Sequence, residues 1–343
     1  MAAVSDGIGP AGELTILDAL PAGFLDCGAR DLHLILDGPT LIELAGEREP
    51  PLFVSCLLHG NENSGLSAIQ RVIGSYRDRP LARPLMLLVG NVAAARHGLR
   101  RLDSQPDYNR IWPGMRDARD TPEARIMEQV HSRVLGRGAL AAIDLHNNSG
   151  RNPHYSVVCK LDPATLGLAA LFSRRVVLFR GIPGTQTASF AGLIPAMTAE
   201  CGLPSEATNA EAAARLLEAA LNLLELPARA AASKEFDLHH TLGIVRVRKD
   251  VTFGFGACDA ELRFAADLDG KNFRELEPGT VLGKTTHPMP LQMIDEAGSD
   301  VAAEYLVTES GELRLRKPAV PAMLTTDARI VRQDCLCYLM ERL

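Results

Sequence analysis

The chain has 343 residues, 46% hydrophobic and 23% charged, a length that exceeds one ordinary core and points to two domains. A formal net charge of -6 excludes the basic footprint of a nucleic-acid binder, and no apolar run approaches the length of a membrane span. Seven cysteines at irregular spacing argue against a disulfide framework, and Met1 to Pro10 lacks the basic start and apolar stretch of a secretory signal, so a cytoplasmic protein is expected.

In chain order, Leu32 to Leu36 reads as a strand, and Leu52 to Leu58 as a buried one. Ser64 to Tyr76 reads as a helix, with Leu66, Ile69, Val72 and Ile73 on one face. Leu85 to Val89 is another buried strand. Pro122 to Leu135 is a helix with Thr121 as N-cap and Pro122 at its first position. Strands follow at Ala139 to Leu145, Ser156 to Cys159, Val176 to Phe179 and Ile194 to Ala199, and Ala207 to Leu224 is an Ala/Leu-rich helix. Alternating strands and helices imply an α/β fold with a mainly parallel sheet covered on both faces. Composition changes near Leu226 to Ser233. Beyond it, Gly243 to Arg248, Asp250 to Gly256, Thr280 to Lys284 and Glu304 to Val307 are short β-like pieces among turns. The expected division is an α/β domain over 1–228 and a smaller β-rich domain over 229–343.

Three short stretches carry chemistry. His59-Gly60-Asn61-Glu62 follows the first buried strand, Asp107-Tyr108-Asn109-Arg110 lies between strand and helix, and Asp144-Leu145-His146 ends the strand from Ala139. Ligands in open α/β sheets sit beyond the carboxyl ends of strands. His59, Glu62 and His146 can therefore converge on one ion. Two imidazoles and one carboxylate make a normal catalytic zinc shell with a position left for water, while Mn, Co or Fe also accept these donors. Asp144 lies on the same side of its strand as His146 and suits a supporting carboxylate. Taken alone, a His at a strand end is an ordinary loop residue, and the order of the three stretches is what gives the set its weight.

With Gly90-Asn91 and Thr198-Ala199-Glu200-Cys201-Gly202 added, the chain resembles the succinylglutamate desuccinylase/aspartoacylase family over about 52–202. That family is related to the zinc carboxypeptidases. The resemblance implies the zinc carboxypeptidase-like fold, a mostly parallel or mixed sheet flanked by helices, with a smaller β-rich C-terminal domain that narrows the cleft. It implies one zinc ion on His59, Glu62 and His146. It also implies that Asn109 and Arg110 hold a substrate carboxylate, that Glu200 is the catalytic carboxylate, and that Arg100, or alternatively Arg101, stabilises the oxyanion. The chain departs from the family at Asn91-Val92, where Asn-Pro is usual. No Arg stands near Phe190, where aspartoacylases carry a substrate Arg; Thr187 and Ser189 are nearby instead.

The function implied is zinc-dependent hydrolysis of an amide in a small carboxylate-bearing substrate, chiefly deacylation of an N-acyl amino acid. A metallocarboxypeptidase acting on short peptides and a non-catalytic metal-binding member of the fold are the rivals. A homo-oligomer is compatible with the sequence; a membrane or nucleic-acid partner is not expected. The loop Ser149 to Tyr155 could contact substrate, and His154 could be a substrate contact or a proton shuttle, but a structural His is the expected reading. His239, His240, His287 and Tyr305 in the second domain receive no role. Gly7-Ile8-Gly9-Pro10-Ala11-Gly12 matches a dinucleotide fingerprint by letters but lacks the preceding strand. Cys335-Leu336-Cys337 is too tightly spaced for a zinc or thioredoxin motif, and no Gly-x-Ser-x-Gly elbow occurs. Cys56 and Cys201 read as plain buried thiols.

Overall fold

The computed structural model describes residues 13–115, 120–180, 182–204, 206–226 and 235–343. The glycine-rich stretch from Gly7 to Gly12, the start from Met1 to Pro10, and the division between 228 and 229 lie outside these residues. The chain forms two compact units, one of 1–147, 154–176 and 182–236, the other of 148–153, 177–181 and 237–343.

In the first unit the strands are β1 (Thr15–Leu17), β2 (Thr40–Leu44), β3 (Leu52–Cys56), β4 (Leu85–Val89), β5 (Ala142–His146), β6 (Tyr155–Val158), β7 (Arg175–Leu178, whose last residues belong to the second unit) and β8 (Ala196–Glu200). The helices are α1 (Ser64–Gly74), α2 (Val92–His97), α3 (Pro122–Gly136), α4 (Pro163–Ala170), α5 (Gln186–Phe190) and α6 (Ala207–Asn222). The strand order is β1-β2-β4-β3-β5-β8-β6. The central run β4-β3-β5-β8 is parallel, while β2 and β6 join it antiparallel. The sheet is thus mixed around a parallel centre, and the second unit is β-rich, as expected.

Alternation along β3 decides which helices cover which face. Leu52 and Val54 pack with Ile69, Val72 and Ile73 of α1 and Leu217 and Leu221 of α6. Phe53, one residue out of phase, faces the other way, into a cluster with Trp112, Met127 and Val130 of α3, and Phe190 of α5. Its ring lies 6.3 Å from Trp112 and 5.5 Å from Phe190. Helix α3 starts as its sequence dictates: Thr121 Oγ1 accepts the Ala124 N–H, and Pro122 takes the first turn, where its missing N–H costs nothing.

The strand expected over Leu32 to Leu36 does not form. Ala29–Leu34 is a 3₁₀ turn instead. A strand would put residues 32, 34 and 36 on one face, but Leu34 is 72% exposed while Leu32 and Leu36 are buried. Burial spaced by four residues fits a helical turn and not a strand, and a short apolar run cannot distinguish the two. Glu304 to Val307, read as β-like, is split between a helical turn over Ala302–Tyr305 and a strand from Leu306.

In the second unit, β9 (Asp237–Val247) pairs antiparallel with β13 (Leu291–Ile294) and with β17 (Cys337–Arg342), and β17 pairs with β16 (Val320–Ala322). A separate five-stranded sheet contains β10 (Phe253–Phe255), β11 (Leu262–Phe264), β12 (Val281–Thr285), β15 (Glu312–Leu315) and β14 (Leu306–Glu309), in that order. Leu262, Phe264, Leu291, Leu313 and Leu339 fill its core. The loop over 148–153 folds within this unit. Arg151 donates to both Asp269 oxygens through its guanidinium and to one of them through its backbone N–H, while Asn272 donates to the Arg151 carbonyl. All seven cysteines are free thiols.

Two outcomes follow for stability. Phe190→Ala removes a fully buried ring between Phe53 and Trp112 and should lower unfolding free energy by about 3–5 kcal/mol in a denaturant titration. Hydrogen bonds from Arg151 hold the Asp269 carboxyl below its usual range against the opposing effect of burial. A depressed carboxylate contributes stability that is present above its unfolded value and is lost as pH falls through the folded one. The stability gap between wild type and Asp269→Asn should therefore be widest near neutral pH and close as acid is added below about pH 4.

Candidate functional site

The expected site residues collect at the carboxyl ends of β3, β5 and β8. In the parallel register Asp144 stands beside Thr198, and His146 beside Glu200. Counting by twos from Ala142 and Ala196, which face the Phe53 cluster, puts all four side chains on the face covered by α3 and α5. Beyond β3, Leu57 adopts φ 54°, uncommon for a bulky residue, and carries the chain out of the strand into the loop holding His59 and Glu62. Gly60 is required there by close approach: a Cβ would lie 2.2 Å from the Ala95 nitrogen of α2.

His59, Glu62 and His146 offer ligand atoms that all lie within 4.8 Å of one another, and all three residues are buried. His59 Nδ1 is 2.9 Å from Glu62 Oε1, and His146 Nδ1 is 2.7 Å from Glu62 Oε2. Each ring turns its other nitrogen to a second carboxylate: His59 Nε2 is 3.1 Å from Asp107 Oδ1, and His146 Nε2 is 2.7 Å from Asp144 Oδ2. A ring that donates from Nε2 presents a lone pair at Nδ1. Two such lone pairs then face one carboxylate, acceptor against acceptor. His59 Nδ1 indeed makes no hydrogen bond despite its 2.9 Å approach, because the geometry is wrong for one. Protons on the rings or a cation among the three groups removes the repulsion, and the N/O/N donor set suits a divalent ion. The residues present therefore fit a metal.

The carboxylates are held in depth. Asp144 accepts from Ser55 Oγ at 2.7 Å. Asp107 accepts from the Asn109 N–H at 2.8 Å and from Arg100 Nη2 at 3.2 Å, so one carboxylate joins His59, Arg100 and the turn carrying Asn109. Burial would raise the Asp107 carboxyl, but Arg100, with His59 second, holds it well below the usual range. Burial likewise opposes ionisation of Glu62, yet His59 and His146 outweigh it and keep its carboxyl low. Burial opposes charge on His146; Asp144 and Glu62 overcome it and push the imidazole up.

Glu200 behaves oppositely. It is 4% exposed, and burial, assisted by Glu62 and Asp144, pushes its carboxyl up to about 7 against the pull of His146 and His59. A carboxyl titrating near neutrality can both take and return a proton, which general acid–base chemistry requires.

Arg100 lies 3.5 Å from Glu62 Oε1 as well as beside Asp107, and its carbonyl accepts the Gly60 N–H. Arg101 points instead to the carbonyls of Gln105 and Leu102. Asn109 places Nδ2 3.2 Å from His146 Nε2 and accepts the Gln186 N–H at Oδ1. Arg110 donates to the Asn109 carbonyl. Thr187, near the Phe190 position where aspartoacylases carry an Arg, hydrogen-bonds Thr198 at 2.8 Å. His154 Nε2 lies 2.7 Å from Asn209 Oδ1 of α6, and its ring packs on Phe172, a structural setting. Sequence reasoning did not assign Asp107, Ser55 or Asn147. Asp107 had a visible signal, its place two residues before Asn109; Ser55 sits in an apolar run and gave none.

Comparisons with known proteins identify the family and the fold. Residues 48–227 match the family described as succinylglutamate desuccinylase/aspartoacylase catalytic domain. A succinylglutamate desuccinylase of Serratia proteamaculans is 27% identical over 252 residues, covering 67% of this chain and 72% of the relative. The structure of a succinylglutamate desuccinylase from Vibrio parahaemolyticus superposes with a TM-score of 0.60 at 15% identity, covering 90% of this chain and 87% of the other. Murine aminoacylase 3 superposes with a TM-score of 0.52 at 18% identity, covering 87% and 97%. At these identities the two structures establish a shared fold.

Proposed function

Because the chain belongs to the succinylglutamate desuccinylase/aspartoacylase family, we propose that it is a zinc-dependent amidohydrolase that removes the acyl group from an N-acyl amino acid. The observation that carries the reading is the buried His59–Glu62–His146 cluster, with Glu200 beside His146 in register. His59, Glu62 and His146 would hold one zinc ion per chain, which when bound supplies an acidified water and a Lewis acid for the scissile carbonyl.

The chain's own groups do the rest. Arg110 pairs with the substrate carboxylate in the two-pronged geometry a guanidinium favours, and Asn109 adds a neutral hydrogen bond. Glu200 takes the proton of the attacking water as its oxygen bonds to the acyl carbon. Arg100, held between Glu62 and Asp107, faces the negative charge that develops on the carbonyl oxygen. When the C–N bond breaks, Glu200 passes its proton to the departing amine, giving a carboxylate and a free amino acid. The lack of an Arg near Phe190, where aspartoacylases carry one, argues against acetylaspartate as the substrate.

Elemental analysis should find about one zinc per chain, and His59→Ala should lose it; full metal in that variant removes the ligand assignment. Glu200→Gln should keep the metal and lose about 10²–10⁴-fold in kcat on the best substrate from a panel of N-acetyl, N-succinyl and N-formyl amino acids. Near-normal turnover by that variant would assign the proton to another group. Turnover of dipeptides alone would replace deacylation by carboxypeptidase action.

A further inference from the structure

Asn147 follows His146 directly, is 4% exposed, and uses every polar hydrogen it has. Its backbone N–H donates to Glu62 Oε2 at 3.1 Å. Its side-chain Oδ1 accepts the Ser64 N–H at 3.1 Å. One Nδ2 hydrogen goes to Ser64 Oγ and the other to the Gly202 carbonyl, each at 2.9 Å. Ser64 is the first residue of α1, two residues beyond Glu62. Gly202 lies two residues beyond Glu200. A single carboxamide thus ties together the loop of one carboxylate, the strand exit of the other, and the residue after His146.

We propose that Asn147 is a positioning residue that sets where Glu62 stands relative to His146 and Glu200. The inference rests on the metal reading above. The Asn147 N–H that reaches Glu62 belongs to the backbone, so no ordinary substitution removes it. What a substitution removes is the anchoring that aims it. The side chain needs one acceptor and two donors at once, and among short side chains only the carboxamide of Asn provides them. Alanine would leave the Ser64 N–H and the Gly202 carbonyl without this partner in a buried setting. Aspartate keeps the acceptor, loses both donors, and brings a second charge towards Glu62. Since Glu62 is gripped from both sides by imidazoles, a small shift of its carboxylate changes both ligand distances together.

The test compares full-length wild type with Asn147→Ala, Asn147→Asp and Ser64→Ala. Zinc affinity is read by chelator competition, ligand geometry by the visible spectrum of the cobalt-substituted protein, and folding by thermal melting. Both Asn147 variants should bind zinc about 10–100-fold more weakly and show a shifted cobalt spectrum, in line with other residues that orient metal ligands. Ser64→Ala, which loses one acceptor and keeps its N–H, should fall between them and wild type. Should Asn147→Ala fail to fold, the other two variants carry the same comparison. A lowered melting temperature with wild-type zinc affinity and an unchanged spectrum assigns Asn147 a purely structural role and overturns the proposal. Wild type that takes up no zinc in the same titration overturns the metal reading itself, and this inference with it.

Discussion

Two imidazole nitrogens facing one buried carboxylate form the constraint around which this site is organised. His59 Nδ1 and His146 Nδ1 approach opposite oxygens of Glu62 at 2.9 and 2.7 Å, with almost no water to soften the encounter. In an interior of low dielectric such an arrangement is costly unless positive charge sits among the groups. The supporting contacts all act in one direction. Asp107 and Asp144 draw the far nitrogens outward and lock both rings with Nδ1 turned inward. Ser55 and Arg100 in turn hold those two carboxylates. The shell is several residues deep, and its depth is what keeps both imidazoles pressed against Glu62.

The sheet supplies the precision. Residues 144, 146, 198 and 200 share a face because side chains alternate along parallel strands in matched register. The same alternation sends Leu52 and Val54 to the opposite helices. One period of two therefore separates a purely apolar interior on one side from an interior that becomes polar only at the strand ends. Glu200 shows the electrostatic outcome: buried and near two other carboxylates, its carboxyl is pushed up, whereas Glu62 is held low by the imidazoles of His59 and His146 and Asp107 by Arg100.

Much of this was legible in the letters, for identifiable reasons. Buried strands such as Leu85–Val89 and helix starts such as Thr121-Pro122 are written locally, by continuous apolar runs and by capping chemistry. The His59, Glu62 and His146 donors were readable because ligands gather at strand ends. What could not be read depends on partners distant in the chain. Leu32 to Leu36 is a short apolar run that reads like a strand, but which of its leucines is buried is settled by neighbours elsewhere. The short helices Val92–His97 and Gln186–Phe190 are too brief for periodicity to declare. Ser55 meets Asp144 across 89 residues, and nothing local marks a serine in an apolar strand as a hydrogen-bond donor to a buried acid. Arg100 and Arg101 are adjacent and chemically identical; only the direction in which the loop presents them separates the one beside Glu62 from the one turned to backbone carbonyls.

The crowding of Gly60 against α2 has a consequence for what the loop tolerates. With the Ala95 nitrogen 2.2 Å from where any Cβ would sit, no larger residue fits at 60 unless the loop carrying His59 and Glu62 moves off α2. Any side chain at 60 would push His59 and Glu62 away from α2 together, so one hydrogen atom in place of a Cβ fixes where both stand relative to His146.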